Sequence, residues 1–200
     1  MPCLASLKNG LTLGVLLSSL VGAIDLPIKE NFDSGSLDNW TPIGGGSWTI
    51  ENQQLKGTGS GEEALIFVDT DASDFIFDAD LNVTKGVAEG LAGFVFRSSS
   101  VDKDVPADYY VFRLWAAGEE LKIKEDGAEE VLISMRGSYA GQWSYPVRIT
   151  ALGGDLEVFV DDLETPALKW TDERLQSGAV GFVVSDGGEA YFDNVVVEAQ

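Results

Sequence analysis

Asp74-Phe-Ile-Phe-Asp-Ala-Asp-Leu-Asn-Val83 is the stretch whose reading decides the fold. Phe75, Phe77, Ala79, Leu81 and Val83 take alternate positions, Asp74, Asp78, Asp80 and Asn82 take the others, and only Ile76 breaks the pattern. Successive side chains of a strand point to opposite faces, so a period of two predicts a strand with one buried face. The same reading extends outward to runs at 91–97, 109–115, 120–124, 130–134, 146–152, 155–160, 179–184 and 191–198. Glycine and acidic turns separate them, such as Glu125-Asp-Gly127, Gly153-Gly154 and Asp186-Gly-Gly188. No window sustains a helical stripe. Residues 164–175 are the least strand-like, and Pro166 argues against a long helix there. Short strands at close spacing without helices predict an all-β chain: a two-sheet antiparallel β-sandwich. The segments around Phe32 and Phe192 both read as strands, and their pairing would tie down both ends.

Composition narrows the chemistry. The chain has 200 residues, 13 Lys and Arg, 33 Asp and Glu, no histidine and a formal charge of -20. Without histidine there is no Ser-His-Asp or Cys-His nucleophile and no histidine metal ligand or pH switch. The acidic balance excludes nucleic acid as a general partner, because phosphate needs basic patches. A hydrophobic fraction of 44% against a charged fraction of 23% is enough for a packed core.

Residues 11–20 form an apolar run, followed by the small residues Val21-Gly22-Ala23. This predicts a signal peptide at 1–23, a single β-sandwich domain at 24–200, and a secreted, extracellular protein. The run is too short for a comfortable membrane anchor. Cleavage would remove Cys3, the only cysteine, and leave 12 basic residues against 33 acidic ones. Disulfide and thiol chemistry would then be absent. Asn39-Trp-Thr41 and Asn82-Val-Thr84 are glycosylation sequons, compatible with secretion by a eukaryote.

A resemblance emerges from the order of motifs. Asn31-Phe-Asp-Ser-Gly-Ser-Leu-Asp-Asn-Trp40 resembles the opening of the concanavalin-A-like jelly rolls of laminin-G type. Gly46-Ser-Trp-Thr-Ile50, Ala92-Gly-Phe-Val-Phe-Arg97, and Gly178 to Phe182 through Ala190 to Val195 follow in that group's order. Asp74-Phe75, Phe96-Arg97-Ser98 and Leu156-Glu-Val-Phe-Val-Asp-Asp162 look most like carbohydrate-binding module family 66, whose members accompany levanases and bind fructans. The keto-disaccharide hydrolase domain is a related branch with the same opening and closing motifs. The resemblance implies a lectin-like, non-catalytic module for fructan, levan or another polysaccharide, with a glycoside hydrolase acting on the same glycan as partner. It also implies a ligand-contacting arginine at Arg97 and an acidic sugar ligand at Asp186.

The residues themselves offer both components of sugar recognition: planar polar groups for hydroxyl pairs, and aromatic faces for the C–H surface of a ring. In the 109–115 run, alternation places Tyr109, Arg113 and Trp115 on one face and Tyr110, Phe112 and Leu114 on the other. The first set reads as a sugar platform or as cross-strand packing, and the second as core. Glu63 ends the glycine-rich stretch 57–63, read as a loop that presents a carboxylate or is merely solvated. Arg97 has a second reading as a structural ion-pair partner, and Asp186 one as a turn residue before glycine.

Two further chemistries are open to an acidic chain. A jelly-roll glycoside hydrolase needs two carboxylates flanking the bond, and Asp78 with Asp80 are the nearest candidates. Asp69, Asp71 and Asp74 are candidate oxygen ligands for a structural calcium, the one cofactor considered; most such runs are solvated turns. A secreted adhesion protein without small-sugar affinity is the remaining alternative.

Overall fold

The computed structural model describes residues 23–85, 91–105, 107–139, 143–185 and 187–200. The predicted leader lies outside the described residues except for Ala23, and Asp186 also lies outside them. Thirteen strands make up the described elements: β1 (Ile28–Glu30), β2 (Thr41–Glu51), β3 (Gln54–Ala72), β4 (Phe75–Lys85), β5 (Ala92–Ser98), β6 (Tyr109–Trp115), β7 (Gly118–Glu125), β8 (Ala128–Arg136), β9 (Ser144–Leu152), β10 (Asp155–Val160), β11 (Leu168–Thr171), β12 (Gly178–Val184) and β13 (Glu189–Ala199). The 164–175 segment, expected to be irregular, contains the short strand β11.

Hydrogen bonding runs in the order β11-β10-β9-β4-β13-β3-β12-β5-β6-β7-β8, with β1 beside β13 and β2 beside β3. The two layers of the sandwich are joined because the 19-residue β3 belongs to both. Its first part, Leu55 to Thr58, pairs with β13, and its later part, Ala64 to Ala72, pairs with β12. Between these parts the ladder with β2 slips. From Gly44↔Ala64 to Gly46↔Gly59, β2 advances two residues while β3 advances five. An excess on one strand bends the ladder and re-aims the side chains it carries. Gly44 has φ +83°, and a Cβ there would collide with the Glu63 carbonyl. The glycine-rich stretch that reads as a loop is therefore a bulged strand. Glycine permits the close approach, and the backbone keeps its partners on both sides of the bulge.

The core lies between the layers. Phe77, Phe94, Phe182 and Phe192 are all fully buried, with Phe182 stacked on Phe192 at 4.3 Å and Phe94 edge-on to Phe77 at 5.1 Å. Such aromatic pairs add about 0.5–1.5 kcal/mol each beyond the area they bury. Trp40 stacks on Phe182, and Phe32 packs on Trp40, so the opening motif closes one edge of the core. β1 pairs antiparallel with β13 (Ile28↔Val197), so the two ends do meet, but the strand stops at Glu30, and Phe32, expected in a strand, lies in a bend with φ +55°. Tyr110, Phe112 and Leu114 face this core, as alternation predicts.

Candidate functional site

The β3–β12–β5–β6–β7–β8 layer has a second face, turned away from the aromatic core. Part of it is apolar: Leu65, Phe67, Val95, Tyr109, Val111, Ala179 and Val183 form a separate buried cluster. Ile43 from β2, and Val101 and Ala107 from the segment before β6, pack against it. The same face continues into a charged network whose centre is Arg113.

Arg113 is only 4% exposed. Its guanidinium is ion-paired with Glu63, lies 3.4 Å from Glu129 Oε1, and has Glu120 Oε1 at 4.0 Å. Burial pushes the Arg113 pKa down, and the charges of Glu129 and Glu120 oppose that shift. The Tyr109 hydroxyl donates to Glu63 Oε2 at 3.2 Å, and Lys124 Nζ donates to the Tyr109 oxygen at 3.3 Å. Burial raises the Tyr109 pKa, so the phenol stays neutral. Lys122 joins Glu120 at 2.9 Å and Glu129 at 3.4 Å. Arg113 Nε is buried and has no hydrogen-bond partner among the described residues.

Local structure explains the convergence. Tyr109 and Arg113 share a face through strand alternation. Glu63 reaches them because the bulge in β3 turns it onto this face beside β2. Glu120 comes opposite Arg113, and Lys124 opposite Tyr109, through the β6–β7 register. Three of the site residues read from the sequence, Glu63, Tyr109 and Arg113, therefore form one network. Trp115 belongs to the same alternating set and is half-buried. Its indole covers Gly118, where an added Cβ would lie 3.0 Å from the ring. Glu120, Glu129, Lys122 and Lys124 are not singled out by the sequence reading. The alternation Glu120-Leu-Lys-Ile-Lys124 carries a signal for the first and last two, but only the pairing register places them beside Arg113.

Arg97 is placed elsewhere. Between Ala179↔Ser98 and Gly181↔Val95, β12 advances two residues and β5 three, and Arg97 has φ +51°. This bulge reverses the alternation. Arg97 lies wholly buried at the end of the core where β3 turns into β4. Its Nε and Nη2 donate to Ser73 O at 3.2 and 2.7 Å, and Nη1 donates to Leu175 O at 3.0 Å. Asp74 Oδ1 is 3.8 Å away. Desolvation lowers the Arg97 pKa, while the neighbouring Tyr110 and Asp74 raise it. Every nitrogen of the guanidinium is thus engaged by backbone, and none points to the Arg113 network.

The remaining candidates are dispersed. Asp78 forms a bidentate pair with Arg148, at 2.7 Å to Nε and 2.8 Å to Nη2. Asp80 accepts from Asn194 Nδ2 at 2.7 Å. Both stand on β4 in the opposite layer and already have partners. Asp71 accepts from the Ser177 hydroxyl at 2.7 Å, Asp74 accepts from the Gly153 amide at 2.7 Å, and Asp69 offers its backbone carbonyl to Ile24. Among the described residues, no three acidic or cysteine side chains gather as a metal site. Asn39 is exposed in a turn, whereas Asn82 lies in β4 with its Oδ1 buried.

Comparison with known proteins adds four findings. The family model described as the 3-keto-alpha-glucoside-1,2-lyase-like domain matches residues 27–198. A levanase of Bacillus sp. (strain L7) is 30% identical over 158 residues, covering 76% of this chain; the chain spans only 16% of that levanase. Among solved structures, the carbohydrate-binding module CBM66 from Bacillus subtilis superposes with a TM-score of 0.70 at 23% identity, covering 80% of this chain and 96% of its own. A prokaryotic beta-1,3-1,4-glucanase (lichenase) from a mouse hindgut metagenome gives 0.64 at 9% identity, covering 87% of this chain and 99% of its own. At these identities the structural matches establish the fold, a concanavalin-A-like jelly roll.

Proposed function

The chain belongs to the 3-keto-alpha-glucoside-1,2-lyase-like domain family, and within it we propose that this protein is a secreted, non-catalytic carbohydrate-binding module whose ligand is a fructan such as levan. The observation that carries the reading is the Glu63–Tyr109–Arg113 network, flanked by Glu120 and Glu129, on one face of a jelly roll. A sugar presents adjacent hydroxyls that both donate and accept. A carboxylate beside a guanidinium offers the complementary pair, fixed in place by strands rather than by loops. The levanase relative supports fructan as the glycan and a hydrolase as companion. The site leaves Arg113 covered while Glu63 and Glu129 keep part of their surface, so sugar hydroxyls meet carboxylate oxygens first.

A second reading follows from the family's description, which names a lyase. Elimination from a keto-sugar needs a base at the carbon next to the ketone, and in a histidine-free chain that role falls to a carboxylate, a lysine or a tyrosine. Glu63 is ion-paired with Arg113, which holds its carboxylate in place for sugar hydroxyls. Titration calorimetry of the purified chain against levan and inulin oligosaccharides tests the first reading. Saturable heat that disappears in Glu63→Gln, with an unchanged melting temperature, supports it. Absence of heat with every glycan, together with release of free sugar from a 3-keto-glucoside, establishes the second instead. Secretion is checked by sequencing the amino terminus of protein recovered from the medium, expected to begin at Ile24.

A further inference from the structure

Beside the charged network lies a chamber of about 190 Å³. Ile43, Leu65 and Phe67 line it from the sheet, Val105 and Ala107 from the segment before β6, and Tyr109 from the side facing Glu63. Asp102, Lys103 and Lys124 stand at its charged margin. Ser99 and Asp108, which flank these residues, are joined by reciprocal bonds, Ser99 N to Asp108 O at 2.9 Å and Asp108 N to Ser99 Oγ at 2.9 Å, and Asp126 N donates to Asp108 Oδ1 at 2.9 Å.

The chamber does not suit another sugar residue. A sugar ring seated against Ile43, Leu65, Phe67 and Val105 would reach Asp102, Lys103 and Lys124 only at the margin and leave the hydroxyls turned to the apolar wall unmet, each at a cost. An aromatic ring has no such groups. Apolar cavities of about 150 Å³ lined by Leu, Ile and Phe accommodate benzene, so the space here is of one-ring size. Tyr109 joins the two regions: its ring walls the chamber and its hydroxyl binds Glu63. A ligand with a polyol end at Glu63 and Arg113 and a flat apolar end therefore fits both.

We propose that the chamber lined by Ile43, Leu65, Phe67, Val105, Ala107 and Tyr109 is a subsite for a single aromatic ring carried by the bound sugar, as in an aryl glycoside. The proposal rests on the carbohydrate reading of the Arg113 network, and its test separates the two. Phenyl and methyl β-D-fructofuranoside are titrated into the wild-type chain, with phenol as the ring alone, while NMR follows the methyl signals of Ile43, Leu65 and Val105. Burying the ring should make the phenyl glycoside bind about ten-fold tighter or more. Ala107→Phe, which fills the chamber from one wall, should abolish that advantage and leave methyl fructoside binding unchanged. Val105→Trp, at a half-exposed position, provides the same test if the first variant folds poorly. Equal affinity for the two glycosides, or a phenyl advantage that survives both substitutions, overturns the subsite. Phenol shifting these methyls while neither glycoside binds would leave the ring site standing and remove the carbohydrate reading.

Discussion

Replacing Arg97 by methionine keeps most of the side-chain volume and removes the charge with all three of its hydrogen bonds. Those bonds end on two carbonyls, Ser73 O and Leu175 O, at 2.7 to 3.2 Å. A hydrogen bond to a charged group contributes roughly 1.5–3 kcal/mol, and two acceptors near the surface recover part of that from water, so the net loss is about 3 kcal/mol. A domain of this size loses roughly 2–4 °C of melting temperature per kcal/mol, which gives a fall of about 6–12 °C. The assay is thermal unfolding followed by circular dichroism, with titration calorimetry against the same glycan below the transition. The expected result is a less stable protein whose sugar affinity is within about two-fold of wild type, since affinity moves ten-fold per 1.4 kcal/mol and Arg97 touches none of the network. A variant as stable as wild type that no longer binds sugar would refute the argument. The guanidinium would then be working at the ligand, and the β5 bulge would not hold it inside.

Other consequences concern single side chains. Glu119 is 4% exposed with Oε2 unpartnered, and burial pushes its carboxyl pKa up while the Tyr139 hydroxyl opposes the shift. A pKa raised in the folded state contributes stability below the unfolded value and loses it as pH rises through the folded value. Glu119→Gln should therefore be more stable than wild type near neutral pH and gain nothing at about pH 4; equal melting curves at both would remove the burial argument. Asp78→Asn breaks a partly exposed pair with Arg148, should cost about 1 kcal/mol in chemical unfolding, and should leave levan binding unchanged. Levan hydrolysis by wild type that vanishes in Asp78→Asn would instead make Asp78 catalytic.

Strand alternation made most of this structure readable. The 109–115 run coincides with β6 and 155–160 with β10; β10 alternates in polarity at its start, while β6 is buried on both faces and is marked as a strand by its β-branched and aromatic residues. Alternation also gives the correct face for Tyr109, Arg113 and Tyr110. It fails where the chain inserts a residue. At β5 an extra residue turns Arg97 from the outer face into the core, and at β3 several extra residues bring Glu63 onto the outer face. The β5 insertion has no sequence signature in the strand that carries it, because a bulge is defined against a partner strand, and the glycines of 57–61 mark the β3 insertion without giving its size. The partner of the β3 bulge also carries a signature, in Gly44-Gly-Gly46, but its meaning depends on a register that local sequence does not contain. Glu129 was unreadable for the same reason. It stands in an acidic pair like many others, and only the β7–β8 register sets it beside Lys124 and near Arg113.

The charge of -20 suggests a cationic ligand only until its local distribution is considered. Around Arg113 each of the three glutamates is already ion-paired with the guanidinium or with Lys122, so a neutral polyol exchanges water for hydroxyls without separating an ion pair. Binding of a neutral sugar releases no counterions, and its affinity should stay constant within about two-fold between ~0.05 and ~0.5 M salt. Folding stability should respond differently. The excess carboxylates repel one another across the surface, and salt that screens them raises the melting temperature over the same range. Measuring both on one preparation separates the site from the surface. Affinity that falls steeply with salt would identify a charged ligand and refute the neutral-sugar reading. Constant affinity alongside rising stability would assign the acidity to the surface and recognition to the paired network.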